Sequence, residues 1–388
     1  MPAVLGGRPP ETGGDAIALS NATGSGNGSA TAVATGGAIY FPGHAGTANA
    51  TANSSLSNGG TASATATGGE GNGCCFNGVD GGAAIANASA TDGGPAVAVA
   101  TGGNGGRGQS GGSAGNGGVA SAIATSTAMQ GGTANATAAA TGGNAAPGGI
   151  IGTANATSFA ATINGNLAQA QSTASGSSGQ AKATGQTNIG NLSIQPVATS
   201  QVGGSSPAIA NAQAGGSVLS PPNTINAGQS FSVASGFAAG PFTIALGSMG
   251  AGGIGTSLTY AESATFDVNV ATDHPIFTFD LLDNKSLGKG FDSATFQISE
   301  NGTVLENHLF TDLASAQAFF SNNLINLTLL AGLNIVQLSF NEMISGGDGF
   351  AFDYAAIAPT PPPTLPLFAS GLVGLGLLGW RRKKKAVA

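Results

Sequence analysis

The chain is 388 residues long, holds 67 glycines, and carries only 7% charged residues for a formal net charge of −7. Five of the ten basic residues sit together at Arg381–Lys385, so the remaining body is strongly acidic and lacks the basic footprint that nucleic acid requires; that partner is excluded. Residues 1–216 contain three phenylalanines (Phe41, Phe76, Phe159) and residues 217–358 contain fourteen, so only the second stretch has the bulk for an ordinary hydrophobic core.

The first region, taken as 1–194, repeats. Four segments end in Ala-Thr-Gly-Gly, at Ala34–Gly37, Ala66–Gly69, Ala100–Gly103 and Ala140–Gly143, with partner segments opening near Gly46, Gly82, Gly118 and Gly152. Ala62, Ala64 and Ala66 interleave with Thr61, Ser63, Thr65 and Thr67, and Ala134, Ala136 and Ala138 with Thr133, Asn135 and Thr137. Period two is the signature of a strand, with alanine on one face and Thr, Asn, Ser or Val on the other. Gly-Gly pairs supply tight corners. Stacked coils would bury the alanine face in a thin core, giving a β-solenoid. The competing reading is a disordered low-complexity arm, because alanine and glycine bury little area against an ordering cost of about 1–2 kcal/mol per residue.

Within this region Thr65/Thr67 and Thr125/Thr127 have the local spacing of water-ordering arrays, but Asn, Val and Ser break the rows. Gly102–Gly118 lacks the Lys-Ser/Thr ending of a phosphate loop and reads as corner loops. Cys74 and Cys75 are adjacent, which suits neither an ordinary disulfide nor a zinc site; they read as incidental thiols, or as a redox switch or crosslink.

Residues 195–222, with Ser205-Ser206-Pro207 and Ser220-Pro221-Pro222, read as a linker. Residues 223–357 alternate in short runs: Ser230–Ala234, Phe242–Leu246, Ser263–Val270, Ile276–Asp280, Ser293–Ser299, Thr303–Phe310, Ile325–Leu330, Asn334–Phe340 and Gly349–Ala355. Asn301-Gly302 predicts a hairpin turn, and Leu313–Asn322 a helix capped by Thr311 or Asp312. So many short strands predict an antiparallel β-sandwich, making the whole chain mainly β.

No catalytic constellation is visible: His44, His274 and His308 are scattered, and no catalytic residue, metal ligand set or cofactor is assigned. Asp280/Asp283 or Asp348/Asp353 could contribute oxygens to calcium, although solvated turn carboxylates are the plainer reading. Tyr260 and Tyr354 are the polar aromatics of this region, a poor supply for a sugar platform.

The tail, 358–388, has three parts. Pro359, Thr360, Pro361, Pro362 and Pro363 keep the chain extended. An apolar run from 365 to 380 follows, carrying Leu365, Leu367, Phe368, Leu372, Leu375, Leu377, Leu378 and Trp380. As a helix it would reach about 24 Å against a bilayer core of about 30 Å, which suits a temporary transmembrane anchor. Arg381, Arg382, Lys383, Lys384 and Lys385 then act as a basic stop on the cytoplasmic side.

In this three-part order the tail resembles a PEP-CTERM sorting domain, in the variant whose proline box lacks glutamate. The resemblance implies export in a Gram-negative, exopolysaccharide-producing bacterium. It also implies transient anchoring in the inner membrane, and processing by an exosortase-type transpeptidase at the proline box. The destination would be the cell envelope, cell surface or extracellular space. Met1–Asp15 shows no secretory signal, its apolar run being only Ala3–Leu5, so the true start is expected upstream.

The expectation is therefore a non-enzymatic, exported cell-surface or extracellular-matrix structural protein that meets exosortase and membrane and self-associates or contacts exopolysaccharide. The alternative is a carbohydrate-binding surface protein that holds exopolysaccharide, assisted by calcium.

Overall fold

A computed structural model describes residues 11–39, 43–73, 77–109, 111–129, 132–162, 167–187, 193–202, 208–215, 229–233, 244–253, 257–270 and 276–357. In chain order the first region forms β1 (Glu11–Thr12), β2 (Ala16–Gly24), β3 (Ser29–Thr35), β4 (Gly43–His44), β5 (Ala48–Leu56), β6 (Thr61–Thr67), β7 (Ala84–Thr91) and β8 (Gly94–Thr101). It continues through β9 (Ala120–Ala128), β10 (Thr133–Thr141), β11 (Ala154–Thr162), β12 (Leu167–Gly176), β13 (Gly179–Thr187), β14 (Ser193–Val202) and β15 (Ala208–Gly215). The strands alternate between two parallel stacks. One runs β2-β5-β7-β9-β11-β13-β15, and the other, in reverse chain order, β14-β12-β10-β8-β6-β3. This region is a β-solenoid, not a disordered arm.

Each strand turns its alanines inward. Ala30, Ala62, Ala96, Ala134 and Ala168 are all within 1% of complete burial, and their neighbours along each strand face out. A methyl group fills so little space that only closely apposed sheets leave no void. Alanine therefore contributes little apolar area per residue here, and backbone hydrogen bonding between coils carries the order.

The second region forms β16 (Gln229–Val233), β17 (Ile244–Gly252), β18 (Leu258–Val270), β19 (Ile276–Leu287), β20 (Ser293–Glu300), β21 (Thr303–Phe310), α1 (Leu313–Phe319), β22 (Asn323–Thr328), β23 (Gly332–Ile344) and β24 (Gly349–Ile357). These strands pair antiparallel among themselves. The core changes to fused aromatic packing: Phe320 lies 4.3 Å, ring to ring, from Phe352 and 5.5 Å from Phe340, and Phe296 bridges to Phe319. The Asn301-Gly302 turn has φ of 49° and 82°, as expected of Asn-Gly. Asp312 caps α1 by accepting from the Ser315 amide at 2.8 Å. The helix stops at Phe319, short of the expected Asn322, because Asn322 turns to φ 51°.

The stretch expected as a linker instead carries β14 and β15. β14 pairs with β12 on one side and antiparallel with β16 on the other, and β15 pairs with β13 and with β18. Two 11-stranded sheets thus run from the alanine coils into the antiparallel, phenylalanine-rich region without interruption. Glycine, serine and proline lowered the apparent strand content of 195–222, but ladder hydrogen bonds come from the backbone and can form with almost any side chain.

Candidate functional site

The sorting residues Pro359–Pro363, the apolar run 365–380 and the basic stop Arg381–Lys385 lie outside the described residues, as do Cys74, Cys75 and His274. Among the described residues no helix is long and apolar enough to cross a membrane, and no three His, Cys, Asp or Glu side chains converge as a metal cluster. His308 sits 3.1 Å from Glu306 on β21, with its ring 4.4 Å from that of Phe319.

The aspartates are arranged differently from the sequence pairing. Asp283 and Asp353 are register partners across β19 and β24. Burial raises the Asp353 carboxyl, a hydrogen bond from Ser248 opposes this, and the Asp283 charge adds to the rise. Asp348 accepts from the Lys289 amide at 2.9 Å and serves the turn before β24. Tyr260 and Tyr354 are both fully buried, so neither offers a surface to a sugar.

The outer faces are the accessible chemistry of the solenoid. Stacking puts Thr35, Thr67, Thr101 and Thr141 in one register column, continued by Ser175. The adjoining column reads Val33, Thr65, Val99, Ala139 and Thr173. On the other sheet the Thr125 row is interrupted by Phe159. Neighbouring strands repeat every ~4.8 Å, so the first column is a row of hydroxyls at that spacing, while the other columns are mixed. Among the strands of the two parallel stacks, β2 to β15, the one charged residue is Lys182 on β13; Glu11 and His44 belong to the small β1–β4 pair outside these sheets.

The two kinds of corner differ. At the wide corner the glycines of the repeat form a ladder in which Gly46 donates to Gly37 at 2.9 Å, Gly69 to Gly46 at 2.9 Å, Gly82 to Gly69 at 2.8 Å and Gly103 to Gly82 at 2.8 Å. It continues through Gly118, Gly143 and Gly152. A methyl group on Gly69 would run into the Gly37 carbonyl, and one on Gly82 into the Gly46 carbonyl. Polar rungs flank the ladder: Asp80 accepts from the Asn116 amide at 2.6 Å, and Asn116 in turn accepts from the Ile150 amide at 2.9 Å. Asp15 accepts from the Thr47 amide at 2.8 Å, which holds its carboxyl below the usual range. The tight corners line an open groove of about 510 Å³ bordered by Asn27, Asn58, Asp92 and Thr133.

Two carboxylates absent from the sequence reading are buried at the junction of the regions. Glu262 on β18 is 2% exposed and Glu342 on β23 is fully buried. The available signal was parity: Glu262 is in step with Ala264 and Phe266, and Glu342 with Leu338 and Phe340, all inward. Starting the first strand at Ser263 and ending the second at Phe340 cut both residues off. No family model matches the chain, and no curated protein matches it.

Proposed function

We propose that this protein is a non-enzymatic structural component of a bacterial cell surface or extracellular matrix, exported and then processed at its C-terminal segment. The observation that carries the reading is the solenoid whose two parallel stacks carry a single charged strand residue, Lys182. It provides length, stiffness and a repetitive neutral surface from residues with almost no reactive chemistry. Its glycine ladder forbids side chains at the corner, a composition spent on architecture. The proline box, apolar run and basic stop support delivery by an exosortase-type route with a transient inner-membrane stage. Mass spectrometry of the mature C-terminus tests this: cleavage near Pro359–Pro363 is expected, whereas an intact Ala388 on exported protein would overturn the sorting step.

The tight-corner groove supports a second reading, in which the protein holds exopolysaccharide. Asn27, Asn58 and Asp92 offer amide and carboxylate partners at repeating heights along an open channel, a spacing suited to a polymer of hydroxyl-rich units. A glycan array on the full chain, with and without chelator, distinguishes the two. Binding that is lost in N58A favours the carbohydrate reading, and no binding to any glycan favours the purely structural one.

A further inference from the structure

Three oxygen-bearing side chains point into the core where the alanine coils meet the phenylalanine-rich region. Tyr260 stands directly opposite Glu342 across β18 and β23, and Glu262 follows two residues on, on the same face. Glu262 itself is flanked by Ala210 of β15 and Phe340 of β23, one neighbour from each region. All three side chains are at least 98% buried. Both carboxylate oxygens of Glu262, both of Glu342 and the Tyr260 hydroxyl lack any hydrogen-bond partner.

Such a group is not tolerated by itself. Two buried carboxylates in one apolar compartment repel each other and have lost their water, so neutralisation must come from somewhere. Among the described residues no cationic side chain bonds to these oxygens. From the facing sheet, β17 presents Met249 and Ala251, neither of them titratable, and the Ala251 amide faces Glu342 without reaching hydrogen-bond geometry. Tyr260, although opposite Glu342, does not donate to it. None of these five oxygens is bonded to a neighbour, which leaves all of them open to a small guest.

We propose that Glu262, Glu342 and Tyr260 form a structural site for one divalent cation of the calcium type, which locks the junction between the solenoid and the phenylalanine-rich region. The charge balances, since two carboxylates match one divalent ion. The donor set is oxygen only, which suits a hard cation better than zinc, whose structural sites draw mainly on nitrogen and sulfur. Two bidentate carboxylates and a phenol supply five of the six to eight oxygens that calcium takes at about 2.3–2.6 Å, the remainder falling to water, and calcium accepts irregular sets where magnesium demands an octahedron.

The test uses the full chain. Calcium content after dialysis against trace CaCl2, and thermal unfolding with CaCl2 or EDTA at neutral pH, are measured for wild type, E342Q and E262Q/E342Q. Wild type should retain one calcium per chain and melt lower in EDTA, and both variants should lose the ion and the chelator response. A second readout does not depend on how the variants fold: terbium added to chelated wild type should show tyrosine-sensitised luminescence that calcium displaces and that Y260F loses. Absence of retained calcium, of any EDTA shift and of sensitised terbium overturns the site. Should stability instead fall with rising pH in wild type but not in E342Q, with no metal effect, the pair shares a proton and the cation site is likewise overturned.

Discussion

The Gly82 amide donates to the Gly69 carbonyl at 2.8 Å, and these two residues belong to successive segments of the repeat. The same bond recurs from glycine to glycine along the wide corner, so each Gly-Gly pair is held by backbone approach and not by conformational freedom alone. G69A or G82A should lower stability by about 1–3 kcal/mol, the range for overpacking a site that cannot relax. G14A is the control, because a methyl there meets nothing within 4 Å. It should change stability by less than about 0.5 kcal/mol. Chemical denaturation of the three variants measures both.

The two faces of a coil strand should respond oppositely to substitution. Ala98 is fully buried between the sheets while its neighbour Val99 faces outward. A98L forces three extra heavy atoms into a methyl-sized space and should cost about 1–3 kcal/mol or more. V99T sits on the outer face and should stay within about 0.5 kcal/mol. Equal responses at the two positions would contradict the inward assignment of alanine.

Four serines, Ser54, Ser126, Ser158 and Ser172, stand at inward positions of the coil strands, and the last two depend on each other. The Ser158 and Ser172 hydroxyls are 2.8 Å apart, and Ser172 donates to the Lys182 carbonyl at 2.6 Å. S172A strands the Ser158 hydroxyl and should cost about 1–3 kcal/mol, whereas S158A/S172A removes both polar groups and should be close to wild type. A double-mutant cycle reads the coupling directly.

Alkaline pH should unfold the phenylalanine-rich region through Tyr354. Burial raises its phenol well above the ordinary value near 10. A folded-state value above the unfolded one means that stability is fully present below pH ~10 and falls as pH rises beyond it, because only the unfolded chain releases the proton. The slope from this residue is about 1.4 kcal/mol per pH unit. Tyr260, pushed up to about 12 by burial, adds a similar slope over a narrower window. Y354F should therefore flatten the alkaline limb without abolishing it, as measured by denaturation midpoints between pH 9 and 11.

Some local features were readable from residue order because each rests on a short-range rule. Alternation placed alanine inside at Ala62, Ala64 and Ala66, Asn301-Gly302 made its turn, and Asp312 capped its helix. Composition left order against disorder open, since the stabilising bonds of an alanine coil lie between strands 25 to 40 residues apart and have no local sequence cost or signature. The buried pair at Glu262 and Glu342 was hidden for another reason. A glutamate at an inward position reads as a strand boundary until the tertiary pairing shows that the strand continues through it.

Residue order by itself determined the period-two faces, the glycine corners and the change from small to aromatic side chains, all properties of neighbours along the chain. Tertiary structure decided that the supposed linker carries β14 and β15, that two unbroken sheets serve both regions, and that two carboxylates meet where those regions join. The physical reason is that strand pairing is made by backbone groups far apart in sequence, whose partners are chosen by the whole fold and not by the residues beside them.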